Sequence, residues 1–356
     1  MKARLCSFVQ EQRARNMSRR HTKGRIRTAI LLFYLRFASR VSVAPLTVLF
    51  QSPAFFSSCT PTYAPSSPGI ALRWRGRSGP QRVDLLFFRE EGAQPLDACQ
   101  QVDFPGDGPA YGLSANRNCR IVALSGSPDS TAAYLDIRNY GDLCKRSFRL
   151  EEEDPARPLL YGQTRVDAGR SRTASLSLET LLCAIRLNAL RCDFSERPYA
   201  GHGFTHTSLF LLYAGAEAFP LENPDASSGW LNPGFVDSLA CARLSHPEMV
   251  LQPGLGPVGA VSQREPRTLY CYPNPATEDG LGQVRTRLVL EGTVGEHTCY
   301  YAIPLPVLRG GQVLELDITL LRIGTDSPDI LAETGMYRMD IHPLAWEEAP
   351  AQTVCF

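Results

Sequence analysis

The residues with the clearest potential for metal chemistry are His202 and His206, which lie four positions apart in the segment GHGFTHT. On a helix this spacing would place both imidazoles on one face, where they could hold a zinc ion. The segment lies between a proline and an apolar, strand-like run, so a helix is not expected there. We therefore predict a loop with two hydrated or hydrogen-bonded imidazoles and no metal site.

Two further motifs resemble ligand-binding loops. A GxGxxG pattern occupies residues 254–259, but Pro257 lies inside it and no helix is predicted to follow, so a flexible loop is expected rather than a dinucleotide site. The acidic run 151–154 lacks EF-hand spacing and predicts a solvated turn. No serine lies in a nucleophile elbow, and no cysteine and histidine constellation stands out. The sequence predicts a protein that is not an enzyme and that has no cofactor.

The chain contains eleven cysteines, without a CxxC pair and without zinc-finger spacing to a histidine. Nine of them follow Cys59, which is an odd number spread over a long stretch and too sparse for a disulfide-built scaffold. We predict that most are small buried hydrophobic residues, with room for one incidental disulfide.

Charge is distributed unevenly along the chain. The overall net charge is +1, but residues 1–40 hold eleven Lys or Arg and a single acid, Glu11. Without that segment the remainder carries a net charge of about −9. An acidic body argues against nucleic acid as a partner and favours a surface protein.

The N-terminal segment has the features of an export signal. The basic stretch is followed by an uncharged, mostly apolar run, 41–56, which ends at Ser-Ser-Cys59. This order predicts a lipoprotein signal over residues 1–59, with Cys59 as the acylated first residue of the mature chain and a palmitate-type lipid as its anchor. The alternative is an ordinary secretion signal cut nearby, and translation could begin at Met1 or Met17. Residues 60–68 are rich in Pro and Ser and predict a tether.

Strand-length apolar runs fill the first half of the mature chain. The segment from Leu178 to Leu190 could form a short helix, but Ile185, Leu187 and Ala189 alternate with polar neighbours, which favours a strand. The predicted strands are GIALRWR (69–75), RVDLLFF (82–88), RIVAL (120–124), AYLDI (133–137), PLLYG (158–162), TASLSL (173–178), CAIRLNAL (183–190) and SLFLLY (208–213).

The second half has the clearest strand pattern. An alternating run places four apolar side chains on one face of a single strand: Leu314, Leu316, Ile318 and Leu320. Residues 219–236 hold three prolines and two glycines without periodicity and predict a linker. The sequence thus predicts an all-β protein with two antiparallel sandwiches in tandem, 69–218 and 237–356.

The three tryptophans offer a possible surface for stacking against sugars. Trp346 closes an alternating strand and is expected to pack in the core. Trp230, in the predicted linker, is the one with the best prospect of exposure. Trp74 lies in the first predicted strand.

Five pieces of the second half, in order, carry a family resemblance: LYCYPN (269–274), TRLVLEG (286–292), YYAIP (300–304), RIGTDSPD (322–329) and a closing strand with Trp346. Together they resemble the C-terminal domain of Bacteroidales fimbrillins, the subunits and accessory proteins of type V pili. The first half fits the same pattern more loosely. The resemblance implies two Greek-key, transthyretin-like sandwiches and a place at the outer membrane or in a fimbria at the cell surface.

The resemblance also implies a mode of assembly. A trypsin-like protease would cut after an arginine between the first two strands, where Arg75, Arg77 and Arg82 are the candidates and Arg77 is favoured. The first strand would leave, and a strand from another fimbrial subunit, such as the tail 352–356, would fill the groove. Alternatively the first strand stays, as an anchor subunit would require. Implied partners are other fimbrial subunits, the outer membrane through the lipid, and a host or bacterial surface ligand. A second hypothesis is a surface lipoprotein that binds glycan or a host ligand without polymerising.

Overall fold

Nearly all regular structure in the described part of the chain is β-strand. The structure, a computed structural model, describes residues 69–74, 82–103, 118–125, 134, 136–167, 173–195, 199–261, 265–280 and 282–346. The strands within these ranges are β1 (Gly69–Trp74), β2 (Arg82–Arg89), β3 (Leu96–Asp103), β4 (Asn118–Ser125), β5 (Phe148–Arg149), β6 (Leu160–Asp167), β7 (Thr173–Thr180), β8 (Cys183–Cys192), β9 (Phe204–Leu212), β10 (Ala214–Phe219), β11 (Asn223–Leu231), β12 (Leu251–Val258), β13 (Arg267–Cys271), β14 (Arg287–Val294), β15 (His297–Pro304), β16 (Gln312–Leu320) and β17 (Tyr337–Ala345).

The N-terminal half is built on a six-stranded sheet with the order β1-β7-β6-β4-β2-β3. The pairs are antiparallel except for β1 and β7, which run parallel. Strand β2 is buried at six successive positions because both faces of this sheet are covered. Val83, Leu85 and Phe87 enter one core, and Leu86 and Phe88 enter another on the opposite face.

The C-terminal half is a sandwich of two four-stranded sheets, β12-β9-β14-β15 and β13-β8-β16-β17. Their shared core contains the four alternating side chains of β16, each at most 1% exposed, as the sequence predicts: Leu314, Leu316, Ile318 and Leu320. The pair of β8 and β16 is parallel, and the other pairs in these sheets are antiparallel. The all-β sandwich prediction is confirmed.

A small fourth sheet and short helices complete the described part of the fold. The sheet has the order β11-β10-β5. Helix α1 (Tyr140–Cys144) is capped by the Asn139 side chain, which accepts a hydrogen bond from the Asp142 amide at 2.9 Å. Helix α2 (Ser238–Cys241) is capped by Asp237, which accepts from two amides in its first turn. Single 3₁₀ turns span Leu150–Glu152 and Pro247–Met249.

The predicted linker, 219–236, is wrong. Residues 214–219 and 223–231 form the hairpin of β10 and β11. Register shifts within this hairpin break the period of two, and β11 lies at a sheet edge, where its Pro224 needs no ladder partner. These features hid the strand pattern.

The predicted sandwich limits, 69–218 and 237–356, are also wrong. Strand β8 pairs with β13 and β16, and β9 pairs with β12 and β14, so both belong to the C-terminal sandwich. Such pairings join strands far apart in sequence, which a local pattern does not reveal. The predicted strand at 133–137 is not formed either, since residues 136–138 are a turn and irregular backbone.

The predicted signal 1–59 and tether 60–68 lie outside the described residues. Within the described ranges, no helix has the length and apolar character that a membrane crossing requires.

Candidate functional site

Strand β1 occupies the edge of the six-stranded sheet. It pairs in parallel with β7 over six residues, from Gly69 opposite Thr173 to Trp74 opposite Leu178. Among the described strands β7 is its one neighbour, since β1 is the last strand in the sheet order. A strand held along a single side can leave without breaking any other part of the sheet.

Strand β7 is the element that β1 covers. Leu176 and Leu178 are at most 1% exposed and enter the sheet core, whereas Ser177 and Glu179 are exposed. Strands β6 and β7 pair at the end of β7, where Leu160 lies opposite Thr180 and Tyr161 lies opposite Glu179. Without β1, the N–H and C=O groups on one side of β7 would be an unpaired sheet edge, which is a template for a strand from another chain.

Of the three candidate cleavage residues, Arg82 is the one in the described part of the chain. It is the first residue of β2, and its carbonyl accepts a hydrogen bond from the Ser125 hydroxyl at 2.9 Å. Its side chain is 41% exposed and lies 4.0 Å from Asp84. Arg75 and Arg77 lie in residues 75–81, outside the described ranges, as do Cys59 and the proposed donor 352–356.

The two histidines are in different environments. His206 lies on β9 and is 1% exposed, so the prediction of a loop is wrong for this residue, although its predicted hydrogen bonding is present. Its Nε2 lies 2.9 Å from the Ser208 carbonyl, and its Nδ1 accepts from the Leu255 amide at 3.1 Å. These partners fix a neutral imidazole with Nε2–H as donor, and burial lowers the pKa of His206 to about 4. His202 is exposed in the preceding turn.

The GxGxxG segment is a strand, not the predicted flexible loop. Gly254 and Gly256 lie in β12, opposite β9, with a register irregularity beginning at Pro253. A Cβ atom on Gly254 would lie 2.2 Å from the His206 carbonyl oxygen, so only glycine fits there. Gly256 has φ of +78°, which also favours glycine. Packing therefore accounts for these glycines.

The acidic run contains a buried carboxyl group that the sequence does not reveal. Glu153 is 0% exposed, so the predicted solvated turn is wrong at this residue, while Glu151 and Glu152 are exposed. Its Oε1 accepts from the Tyr272 hydroxyl at 2.9 Å, and its Oε2 accepts from the Leu159 amide at 3.1 Å. Burial raises the pKa of Glu153 to about 8. This contact ties the segment between β5 and β6 to the end of β13.

A cleft of about 190 Å³ lies beside the small fourth sheet. Trp230 of β11 lines it and is half-buried, together with Leu231 and Leu244. Arg149 and Glu217 stand at its polar side, with 4.0 Å between their charged groups and both side chains at least 35% exposed. An indole beside two incompletely paired charged groups could stack on a ligand and hydrogen-bond to it.

The other two tryptophans are Trp346, which the sequence predicts in the core, and Trp74. Trp346 is half-buried and packs against the C-terminal core, with its ring centroid 6.2 Å from that of Tyr270. The side chain of Trp74 lies outside the described part.

No group of three or more potential metal ligands occurs among the described residues. Burial raises the pKa of Cys119 and Cys192 to about 11 and that of Cys271 to about 12, so the nucleophilic thiolate is scarce at neutral pH.

Comparison with known proteins gives matches in structure alone. No protein-family model matches the chain, and a search of curated proteins finds no significant match. A candidate cell adhesion protein from Bacteroides eggerthii has a TM-score of 0.54 at 16% identity, over 80% of this chain and 97% of that one. A second, from Parabacteroides distasonis, has a TM-score of 0.55 at 12% identity, over 79% and 98%. A fimbrilin from Porphyromonas gingivalis has a TM-score of 0.51 at 10% identity, over 79% and 98%. At these identities the likeness shows a shared fold, and the fold implied by the family resemblance is confirmed.

Proposed function

We propose that this protein is a structural or adhesive subunit, or an accessory protein, of a type V pilus at the cell surface. The support is a fold shared along about four-fifths of the chain with a fimbrilin and with candidate cell adhesion proteins. We also propose that the protein is not an enzyme. The buried, neutral His206 and the protonated thiols support this view, because neither is poised for nucleophilic or metal chemistry.

Assembly by strand exchange rests on one observation, the position of β1 at the sheet edge with β7 as its neighbour. Departure of β1 would leave β7 with free backbone donors and acceptors and with Leu176 and Leu178 still directed into the core. A strand from a neighbouring subunit would pair with β7 through main-chain hydrogen bonds, and alternate side chains would fill the vacated positions. In the alternative form β1 stays and the protein serves as an anchor.

A cut between β1 and β2 would release β1. Arg77 is the favoured position because Gly76, Ser78 and Gly79 flank it and a protease requires an accessible, extended chain. Arg75 is the next candidate. Arg82 is less suited, because its carbonyl is hydrogen-bonded and its backbone already pairs in β2.

The test replaces Arg75, Arg77 and Arg82 together with alanine in the full chain. After treatment with a trypsin-like protease, N-terminal sequencing reports loss of β1 and size-exclusion chromatography reports polymers. We expect the triple variant to keep β1 and stay monomeric. The matched control, Arg82→Ala alone, should be cleaved and polymerise like the unaltered chain. Loss of β1 or polymer formation by the triple variant would exclude arginine-directed strand exchange.

Export as a lipoprotein is the second part of the proposal. An acylated Cys59 would anchor the acidic body to the outer membrane through the Pro and Ser tether, and stable anchoring takes more than one acyl chain. In cells, Cys59→Ser should abolish labelling by a fatty-acid probe and release the protein from the membrane fraction. Unchanged labelling and unchanged retention would show that Cys59 is not the anchor.

The cleft beside Trp230 favours a second candidate function, a surface lipoprotein that binds glycan without polymerising. Trp230 can stack on a sugar ring, while Arg149 and Glu217 can bond to hydroxyl groups. The experiment titrates the full chain with a panel of neutral glycans and uses the change in tryptophan fluorescence to measure binding. Loss of binding in Trp230→Ala, with binding kept in Trp346→Ala, would support this function. No binding to any glycan would exclude it.

A further inference from the structure

Two cysteines of the C-terminal sandwich face each other across neighbouring strands. Cys183 begins β8 and Cys271 ends β13, and the two are register partners in this antiparallel pair. Residues directly opposite in such a pair have Cα atoms about 4.5–5.5 Å apart and side chains on the same face. A disulfide spans Cα separations of about 4.4–6.8 Å. The backbone therefore already holds these residues at bridging distance.

The side chains of this pair point into one core. Cys183 is 1% exposed and Cys271 is 0% exposed, and the next inward pair, Ile185 and Leu269, enters the same core. Both thiols are free, and the Cys183 Sγ donates to the Arg309 carbonyl at 2.9 Å. The same Sγ lies 3.9 Å from the Leu181 carbonyl oxygen, so a bridge to β13 requires the Cys183 side chain to rotate away from both carbonyls.

We propose that Cys183 and Cys271 form a disulfide when the chain folds under oxidising conditions. The oxidant is a disulfide, either oxidised glutathione or that of a thiol–disulfide oxidoreductase. One cysteine thiolate attacks a sulfur of the oxidant, which gives a mixed disulfide and releases one thiolate. The second cysteine thiolate then attacks the first cysteine's sulfur and releases the other thiolate. The protein loses two protons and two electrons, and the oxidant becomes two thiols.

The bridge must form before the core closes. Burial raises the pKa of Cys271 to about 12, and burial together with the nearby Cys271 raises the pKa of Cys183 well above its usual range. In the folded, reduced protein the attacking thiolate is therefore scarce and the oxidant has no access. We therefore expect oxidation to occur during folding, while both thiols are still exposed to water.

The bridge would fasten a short edge strand. Strand β13 has five residues and lies at the end of its sheet, where β8 is its neighbour in the sheet order. Detachment of β13 would open the edge of β8 to a strand from another chain. A covalent link at the end of the pair keeps that edge closed.

Peptide mapping tests the proposal independently of pilus assembly. The full chain is refolded from denaturant with glutathione buffer, its free thiols are blocked with N-ethylmaleimide, and it is digested with trypsin without reduction. Cys183 and Cys271 lie in separate tryptic peptides, 173–186 and 268–285, each with one cysteine. We expect these peptides to be linked, and the free thiols to fall from the eleven of the sequence to nine. Both peptides blocked, or Cys183 linked to another cysteine, would overturn the proposal.

A control and a rate measurement complete the test. Cys241→Ser alters a buried thiol whose contact is with Asn232, and this variant should retain the link. Cys271→Ser should leave peptide 173–186 blocked. Oxidant added to the folded, reduced chain should produce the link at least tenfold more slowly than oxidant present during refolding. Equal rates would show that burial in the folded protein does not slow disulfide formation. That result would contradict the proposal that the bridge forms before the core closes.

Discussion

The hydroxyl of Tyr272 lies 2.9 Å from Oε1 of Glu153, and both side chains are completely buried. Glu153 precedes β6 of the N-terminal sheet, and Tyr272 follows β13 of the C-terminal sandwich. Since the other carboxyl oxygen accepts from the Leu159 amide, the carboxyl group joins two parts of the chain that are more than a hundred residues apart.

This contact predicts a pH-dependent stability. The folded pKa of Glu153 is raised to about 8 from an ordinary value of 4.5, so between these values the folded state binds more protons than the unfolded state. The contribution of Glu153 to stability should therefore fall as pH rises from 4.5 to 8, by at most tenfold in the unfolding equilibrium per pH unit, whereas the buried neutral His206 acts in the opposite direction below about pH 6.5. Glu153→Gln, which stays neutral, should remove this contribution, so the free energy of unfolding of the variant should gain on that of the unaltered protein from pH 5 to 6.5 and 8.5 in urea unfolding. The exposed Glu152→Gln is the control, and an unchanged slope in Glu153→Gln would contradict the assignment.

A core substitution on β16 tests the sandwich itself. Leu316 is 0% exposed between the two four-stranded sheets, and Leu316→Ala removes buried methyl groups and leaves a cavity. We expect a loss of about 2–5 kcal/mol in the free energy of unfolding. Thr319→Ala, on the half-buried face of the same strand, should change it by about 0.5 kcal/mol or less. Equal effects of the two changes in denaturant titration would show that the alternating face is not the core.

The pair of β16 and β17 carries two acids directly opposite each other, Asp317 and Asp340. Like charges at opposed positions destabilise a sheet, so Asp340→Asn should stabilise the protein by about 0.2–1 kcal/mol at low salt. The gain should shrink at high ionic strength because salt screens exposed charges. Thermal unfolding of both proteins at two salt concentrations measures this gain in stability. A gain that does not change with salt would show that repulsion between the two carboxylates is not its cause.

Much of this fold could be predicted from the sequence, and the failures have physical reasons. The alternation in β16 and the apolar run of β2 identify strands because burial on one or both faces leaves a local pattern. The hairpin of β10 and β11 was missed because bulges and an edge-strand proline erase that pattern. The partners of β8 and β9 were missed because sheet pairing is long-range.

The candidate site was less accessible to sequence analysis than the fold. The arginines between the first two strands could be named and Arg82 could be placed at the start of a strand, but nothing local showed that its carbonyl accepts a hydrogen bond from Ser125. Glu153 resembles its three acidic neighbours in sequence, and only the approach of Tyr272 distinguishes it. The register of Cys183 with Cys271 was equally hidden, because it depends on two strands meeting.

The most direct test of strand exchange is a covalent lock between β1 and β7. Ala71 and Ser175 are register partners, so the double variant Ala71→Cys/Ser175→Cys can be closed by oxidation and opened by reduction. After protease treatment, we expect the oxidised variant to retain β1 by mass and remain monomeric, and the reduced variant to release β1 and polymerise. The single variant Ala71→Cys should polymerise in both states. Polymers of the oxidised, locked protein would contradict assembly through the edge of β7.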